Sequence, residues 1–336
     1  MDPTLSVIVP TYQCVAYLSE CIDSILGQLR PGDELILVDD GSTDGTAQLL
    51  SEYARKDDRI QTFLMEHAGV SAARNKGMLA AGGDYIAFVD CDDTLNGGFL
   101  SRSLPLLDEA ADVYIFGIER WELNGRTERW TVRDARFETA PDFADAYIRS
   151  RSRHLLIYSG CNKFYRRNLL IERGIRFHED VSFGEDRLFN YDVLRCCRGI
   201  ITSSLVMLRY LQRSAGSLTG RHIPLYFHKV MKLHKEKMDC FLSLSKGTSR
   251  EERAAFLAYD LVHEVEKTVD RFESHPEEIE ENLPEMNRLI FDDPGVPNWV
   301  MSDAGRRAAY DKLRKIVHPL AYENIVGYED HTQLFD

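Results

Sequence analysis

Short apolar runs recur along the first third of the chain, separated by stretches whose apolar positions fall at helical spacing. Leu5–Val9, Leu35–Val38, Ile60–Met65, Tyr85–Val89 and Val113–Phe116 are mostly apolar and read as strands. Between the first two, Leu18, Cys21, Ile22, Ile25 and Leu29 share one helix face. Strand, helix, strand repeated in this way predicts an α/β fold, a mostly parallel sheet flanked by helices. Such sheets bind ligands beyond the carboxyl ends of their strands. The residues that follow each strand are therefore the candidates for chemistry.

The alternation then stops. Asn124-Gly125 between two strand-like runs predicts a β-hairpin. From Gly160 to Thr219 the pattern is mixed, with a helix beginning near Gly184 and a strand near Val206–Tyr210. Beyond residue 221 it is helical. Ser249-Arg-Glu-Glu252 is a capping box, followed by Leu261, Val262, Val265, Val269 and Phe272 along one face. The expected organisation is an α/β domain over 1–220 and a helical region over 221–336. The latter carries an acidic stretch at Glu277–Glu285 and a turn-rich stretch at Asp292–Pro297.

A length of 336 residues suits about two domains at ~100–200 residues each. The 41 basic residues against 54 acidic ones leave a net charge of −13, which argues against a nucleic-acid partner, since that needs a basic face. Seven cysteines with no CxxC spacing suggest neither a disulfide frame nor a zinc site, and point to a reducing cytosol. No run of ~18 apolar residues predicts a membrane span. The N-terminus lacks the pattern of a signal peptide.

Polar groups gather where the strands end. The first run closes on Pro10-Thr11-Tyr12 and the second on Asp39-Asp40-Gly41-Ser42-Thr43. A carboxylate such as Asp40 can accept the ring N–H of a base while Tyr12 covers its face; alternatively Ser42 or Thr43 caps the next helix. The fourth run delivers Asp90-Cys91-Asp92-Asp93. Adjacent carboxylates repel unless a cation intervenes, and a hard divalent ion with phosphate oxygens fits that spacing. The DxD letters alone are weak, and their place after a buried strand carries the weight. Within Ser71-Ala-Ala-Arg74-Asn75-Lys76-Gly77, Arg74 is a cation able to reach a base carbonyl or a diphosphate, or else simply an exposed helix arginine.

A second acidic cluster, Gly184-Glu185-Asp186, falls in the first turn of the helix expected there, where the helix dipole keeps a carboxylate ionised and able to act as a base. Between Arg209 and His222 lie Arg213, Ser217 and Thr219 in a glycine-containing loop that could close over a diphosphate or serve as a linker, with His222 a further candidate metal ligand. The basic positions Arg149, Arg151, Arg153, His154, Arg166 and Arg167 suggest peripheral contact with a membrane face or a lipid-linked acceptor, although a solvated helix face explains them more simply.

Ser6-Val-Ile-Val-Pro10-Thr-Tyr12, Leu37-Val-Asp39-Asp40-Gly-Ser-Thr-Asp-Gly-Thr46, Ser71-Ala-Ala-Arg74-Asn75-Lys-Gly77 and Phe88-Val-Asp90-Cys91-Asp92-Asp93, in this order and spacing, resemble family 2 glycosyltransferases. Cys161-Asn-Lys-Phe-Tyr-Arg-Arg167, Gly184-Glu-Asp186 and Gly216-Ser217-Leu-Thr219 resemble later stations of that family, so the resemblance spans about residues 4–220. It implies the GT-A fold, an inverting transfer from a nucleotide sugar, with uridine the expected base, and a requirement for Mn²⁺ or Mg²⁺. It assigns Asp40 to the base and Pro10, Thr11, Tyr12, Asp39 and Arg74 to the nucleotide. Asp90 and Cys91 fall to the donor, Arg213, Ser217 and Thr219 to the diphosphate. It gives Asp92 to the metal, for which Asp90 and His222 are further candidates from their own chemistry, and Asp186 to the base role, with Glu185 second. Gln13 and His67 depart from the usual Asn. The implied acceptor is a glycan or a lipid-linked saccharide, the implied place the cytoplasm or its membrane face, and the helical region could pair two copies. A nucleotidyltransferase or a non-catalytic nucleotide-sugar-binding scaffold are the alternative readings.

Overall fold

The computed structural model describes residues 2–108, 110–122, 124–150, 155–211 and 222–287. Arg213, Ser217 and Thr219, the basic positions Arg151, Arg153 and His154, and the Asp292–Pro297 turn lie outside the described residues, as does the side chain of Val262. The described part divides into two compact units. Of the described residues, the first holds those within 2–147, 155–211 and 239–247, the second those within 148–150, 222–238 and 248–287. A single cut near 220 is thus replaced by an interleaved one, because Asp239–Gly247 packs within the first unit.

In the first unit the chain runs β1 (Leu5–Thr11), α1 (Val15–Leu26), β2 (Glu34–Asp39), α2 (Thr46–Ala54), β3 (Ile60–Leu64), α3 (Val70–Ala80) and β4 (Tyr85–Phe88). There follow β5 (Thr94–Leu95), α4 (Phe99–Ser103), β6 (Ala111–Trp121), β7 (Thr127–Trp130), β8 (Ala135–Phe137) and α5 (Ala140–Ser150). Then come β9 (Lys163–Arg166), α6 (Arg167–Arg173), α7 (Glu185–Cys196) and β10 (Gly199–Leu211). The main path of the sheet is β3-β2-β1-β4-β9-β6-β10-β5, with β7 on β6 and β8 on β10. Its first half is parallel as the βαβ pattern predicts: Ser6 lies against Glu34 on β2, and Leu5 against Tyr85 on β4. Its second half mixes senses, since β9 runs antiparallel to both β4 and β6. The Asn124-Gly125 hairpin is present, with Gly125 at φ 82° and β6 antiparallel to β7.

β1 is buried along its whole length and α3 lies tightly on it. A Cβ on Gly77 would sit 2.4 Å from a methyl of Ile8, so the small residues of α3 are what bring Arg74 to the sheet. Beneath Arg74 lies an aromatic cluster. The Phe177 and Phe189 rings stack at 4.0 Å, and Phe88 meets each edge-on. Such pairs add roughly 0.5–1.5 kcal/mol each beyond area burial, enough to fix the 177 segment under the site.

The second unit contains most of α8 (Tyr226–Leu244), α9 (Arg250–Ser274) and α10 (Ile279–Asn287). The capping box forms as predicted: Ser249 Oγ accepts from Glu252 N, and Glu252 Oε2 from Ser249 N. Leu261, Val265, Val269 and Phe272 are buried along one face of α9. Asp260 is buried with Lys237 and His234, and Glu278 with Arg271, so these charges are paired inside the unit. Among the described residues no helix is long and apolar enough to cross a membrane.

Candidate active site

The loop after β2 is braced rather than capping. Asp39 accepts from Ser42 N and Oγ at 3.0 and 2.6 Å and from Thr11 Oγ1 at 3.2 Å. Ser42 and Thr43 do not cap α2, which begins at Thr46 behind a left-handed Gly45. Gln13, itself at φ 49°, donates through its amide to Thr43 Oγ1 and accepts from Thr43 N. The departure from Asn at this position thus ties the first loop to the second.

Asp40 is almost wholly buried and turned toward the start of α3. Its carboxylate accepts from Ala68 N at 2.7 Å and Gly69 N at 2.9 Å, and His67 Nδ1 lies 2.8 Å from its Oδ2. The carboxylate that the sequence offers to a base is thus already met by two backbone N–H donors and a histidine ring nitrogen. Exposed above it, the Tyr12 ring stacks on His67 at 4.4 Å with a 20° tilt. Tyr12 and His67 together present one flat aromatic surface beside Asp40. Sequence reasoning missed the histidine, although its departure from the family's Asn was the available signal.

Arg74 is the hub. It is 3% exposed, and the reading of it as a solvent-facing helix arginine is corrected. Its Nη1 donates to Asp186 Oδ1 at 2.7 Å and to Glu185 Oε1 at 3.4 Å, and its Nη2 to Asp90 Oδ1 at 2.8 Å. The guanidinium lies 5.1 Å over the Phe177 ring. Burial opposes its charge, yet the fields of Asp186 and Asp90, followed by those of Cys161 and Glu185, hold it protonated well above its ordinary range. One cation thereby joins the end of β4 to the first turn of α7.

Glu185 and Asp186 open α7 behind a left-handed Gly184. Burial, and next the charge of Asp186, push Glu185 above the usual carboxylate range, so it keeps its proton to higher pH than a free glutamate. Asp186 is held on both oxygens, by Arg74 and by Gly160 N at 3.1 Å, with its side chain still 23% exposed. Beside them lies fully buried Lys163, pushed down to about 7 by burial against the opposing pull of Asp186.

In the Asp90–Asp93 turn the residues diverge. Asp93 is buried and accepts from Leu211 N at 3.2 Å. Cys91, counted with the donor contacts by the resemblance, directs its thiol to Cys14; that hydrogen bond and burial raise it well above the usual thiol range. Asp90 and Asp92 remain partly exposed. Their reach is marked by Tyr210, raised by burial and then by Asp93, Asp92 and Asp90. His222 lies in the second unit, where its Nε2 is 3.2 Å from Glu281 Oε1.

Among the described residues no three His, Cys, Asp or Glu side chains form a ready metal cage. The donor set nevertheless fits a hard divalent ion. Asp90 and Asp92 are partly exposed after β4, and carboxylate oxygens of that kind, with phosphate and water completing the shell, are what Mg²⁺ or Mn²⁺ takes.

A family model described as glycosyl transferase family 2 matches residues 6–174. The chain belongs to that family. This family 2 glycosyltransferase chain is 34% identical over 200 residues to the uncharacterized glycosyltransferase EpsJ of Bacillus subtilis, covering 58% of this chain and 57% of EpsJ. It is 31% identical over 236 residues to the poly(ribitol-phosphate) beta-N-acetylglucosaminyltransferase TarS of Staphylococcus aureus, covering 68% of this chain and 39% of TarS. The chain thus spans 57% of the length of one of these curated relatives and 39% of the other. The crystal structure of S. aureus TarS 1-349 in complex with UDP-GlcNAc shares the fold at a TM-score of 0.69 and 22% identity, over 97% of this chain and 94% of that one. The GT-A expectation holds.

Proposed function

We propose that the chain transfers a sugar from a uridine diphosphate donor to a hydroxyl of a glycan or polyol-phosphate acceptor, with inversion, using Asp186 as base. The observation that carries this reading is the Arg74 hub, which gathers Asp90, Glu185 and Asp186 at the carboxyl edge of the sheet. TarS and a poly(ribitol-phosphate) beta-glucosyltransferase of Bacillus spizizenii are the relatives whose names supply the donor and acceptor class.

The base would lie on the Tyr12–His67 surface, with the diphosphate toward Asp90–Asp92. Asp92 and the second oxygen of Asp90 would hold Mg²⁺ or Mn²⁺, which supplies Lewis-acid neutralisation of the departing diphosphate. Arg74 and Gly160 N fix the Asp186 carboxylate so that its remaining lone pairs face an acceptor O–H, at the ~2.6–3.2 Å reach that proton transfer needs. A single displacement then inverts the anomeric carbon, and no side-chain nucleophile is required.

The test is a panel of nucleotide sugars with Mn²⁺ or Mg²⁺, scored for nucleoside diphosphate release with and without glycan or polyol-phosphate acceptors. Release from uridine donors supports the reading. Metal-independent release would remove the metal from it, and no turnover of any donor would overturn it.

A further inference from the structure

Lys163 is a buried amine, drawn down to about 7 by burial, that the proposed reaction does not use directly. Its Nζ donates to Leu156 O and Ser159 O, both at 2.5 Å, and to Asn162 Oδ1 at 2.8 Å. An ammonium has three N–H groups and no acceptor, so these three oxygens exhaust it. Holding such a charge inside is expensive. If the position needed only filling, methionine would serve without that cost.

What the lysine gathers is the stretch 156–162, and that stretch ends against Asp186. Gly160 N donates to Asp186 Oδ2 at 3.1 Å. Asn190, one helical turn after Asp186, donates to Ser159 O at 3.1 Å, Tyr158 O at 3.3 Å and Asp186 O at 2.8 Å. Tyr165 OH donates to Asn190 Oδ1 at 2.8 Å and lies 3.3 Å from Gly160 O. The fit leaves little slack, since a Cβ on Gly160 would lie 3.3 Å from Asp186 Oδ1 and 3.5 Å from Oδ2.

We propose that Lys163 is a positioning residue: by folding 156–162 it sets the Gly160 amide and, through it, the orientation of the Asp186 carboxylate. This inference rests on Asp186 being the base. Arg74 fixes one oxygen from the sheet side and Lys163, through Gly160, the other.

The test compares Lys163→Met, Asp186→Asn and the double variant, using whichever uridine sugar of the donor panel turns over fastest. UDP affinity is read by calorimetry, and hydrolysis of the donor by water gives kcat and KM. Lys163→Met is expected to lower kcat at least tenfold, leave KM and the UDP dissociation constant within about twofold, and add no further loss in the Asp186→Asn background, the non-additivity of groups that act as one. Should Lys163→Met fail to fold, Lys163→Gln carries the same comparison, because its shorter amide cannot donate to all three of the oxygens that the lysine gathers. Unchanged kcat, weakened UDP binding, or a loss that persists when Asp186 is already Asn would overturn the inference. Full activity in Asp186→Asn would sink the base assignment and this inference together, whereas an inactive Asp186→Asn beside an unaffected Lys163→Met sinks this inference alone.

Discussion

Arg74 and Asp186 stand 112 positions apart in the chain and 2.7 Å apart in space. That contact closes the site. α3 carries Arg74 because its small residues lie flat on β1, and α7 brings Asp186 because Gly184 turns the chain just before its first turn.

If Asp186 is the base, Asp186→Asn removes the proton acceptor while preserving shape. Turnover is expected to fall about 10²–10⁴-fold, the usual worth of general base catalysis. UDP affinity measured by calorimetry should stay within a few-fold. An active Asn variant would hand the role to Glu185 or to water.

Arg74 is the compensating cation for Asp90, Glu185 and Asp186. Arg74→Met leaves those carboxylates facing one another, and because they stay partly exposed to solvent the cost is about 1–3 kcal/mol, below that of a fully buried pair. Urea unfolding should show a shift of that order. Arg74→Lys is expected to rescue little of it, since an ammonium cannot reproduce the fork to Asp186 and Asp90.

Asp92→Ala should abolish the dependence of UDP affinity on Mn²⁺, measured by titrating UDP with and without the ion. Retention of the full metal effect would move the site away from the Asp90–Asp92 turn.

The second unit offers a pH test. Asp260 is held well below its ordinary value of 3.8; burial opposes this, but Lys237 and His234 outweigh it. A carboxylate lowered on folding contributes stability that is fully present above its unfolded value and is lost as pH falls through the folded one. The urea midpoint should therefore drop as pH falls below about 4, and Asp260→Asn should flatten that drop. An identical acid profile in both proteins would assign the sensitivity elsewhere.

The hydrophobic pattern was sufficient for β1 to β4, their helices, the hairpin at Asn124-Gly125, α7 and the capped α9, because each depends on local periodicity and turn chemistry. The acidic residues of the site were legible too, since strand ends and a helix start mark them. The antiparallel insertion of β9 between β4 and β6 was not, because pairing sense depends on residues far apart in sequence.

By itself, then, the sequence determined the α/β frame, the family and the cluster Asp90, Asp92, Glu185 and Asp186. Only the tertiary structure decided how these are held: Arg74 as a buried hub, Asp40 taken up by the Ala68 and Gly69 amides, His67 stacked on Tyr12, and Lys163 folding the loop behind Asp186. The reason is physical. Residue spacing reports which side chains reach one edge of a sheet, whereas the partner each group finds there is set by packing between segments a hundred residues apart, where burial makes every unpaired donor or charge costly.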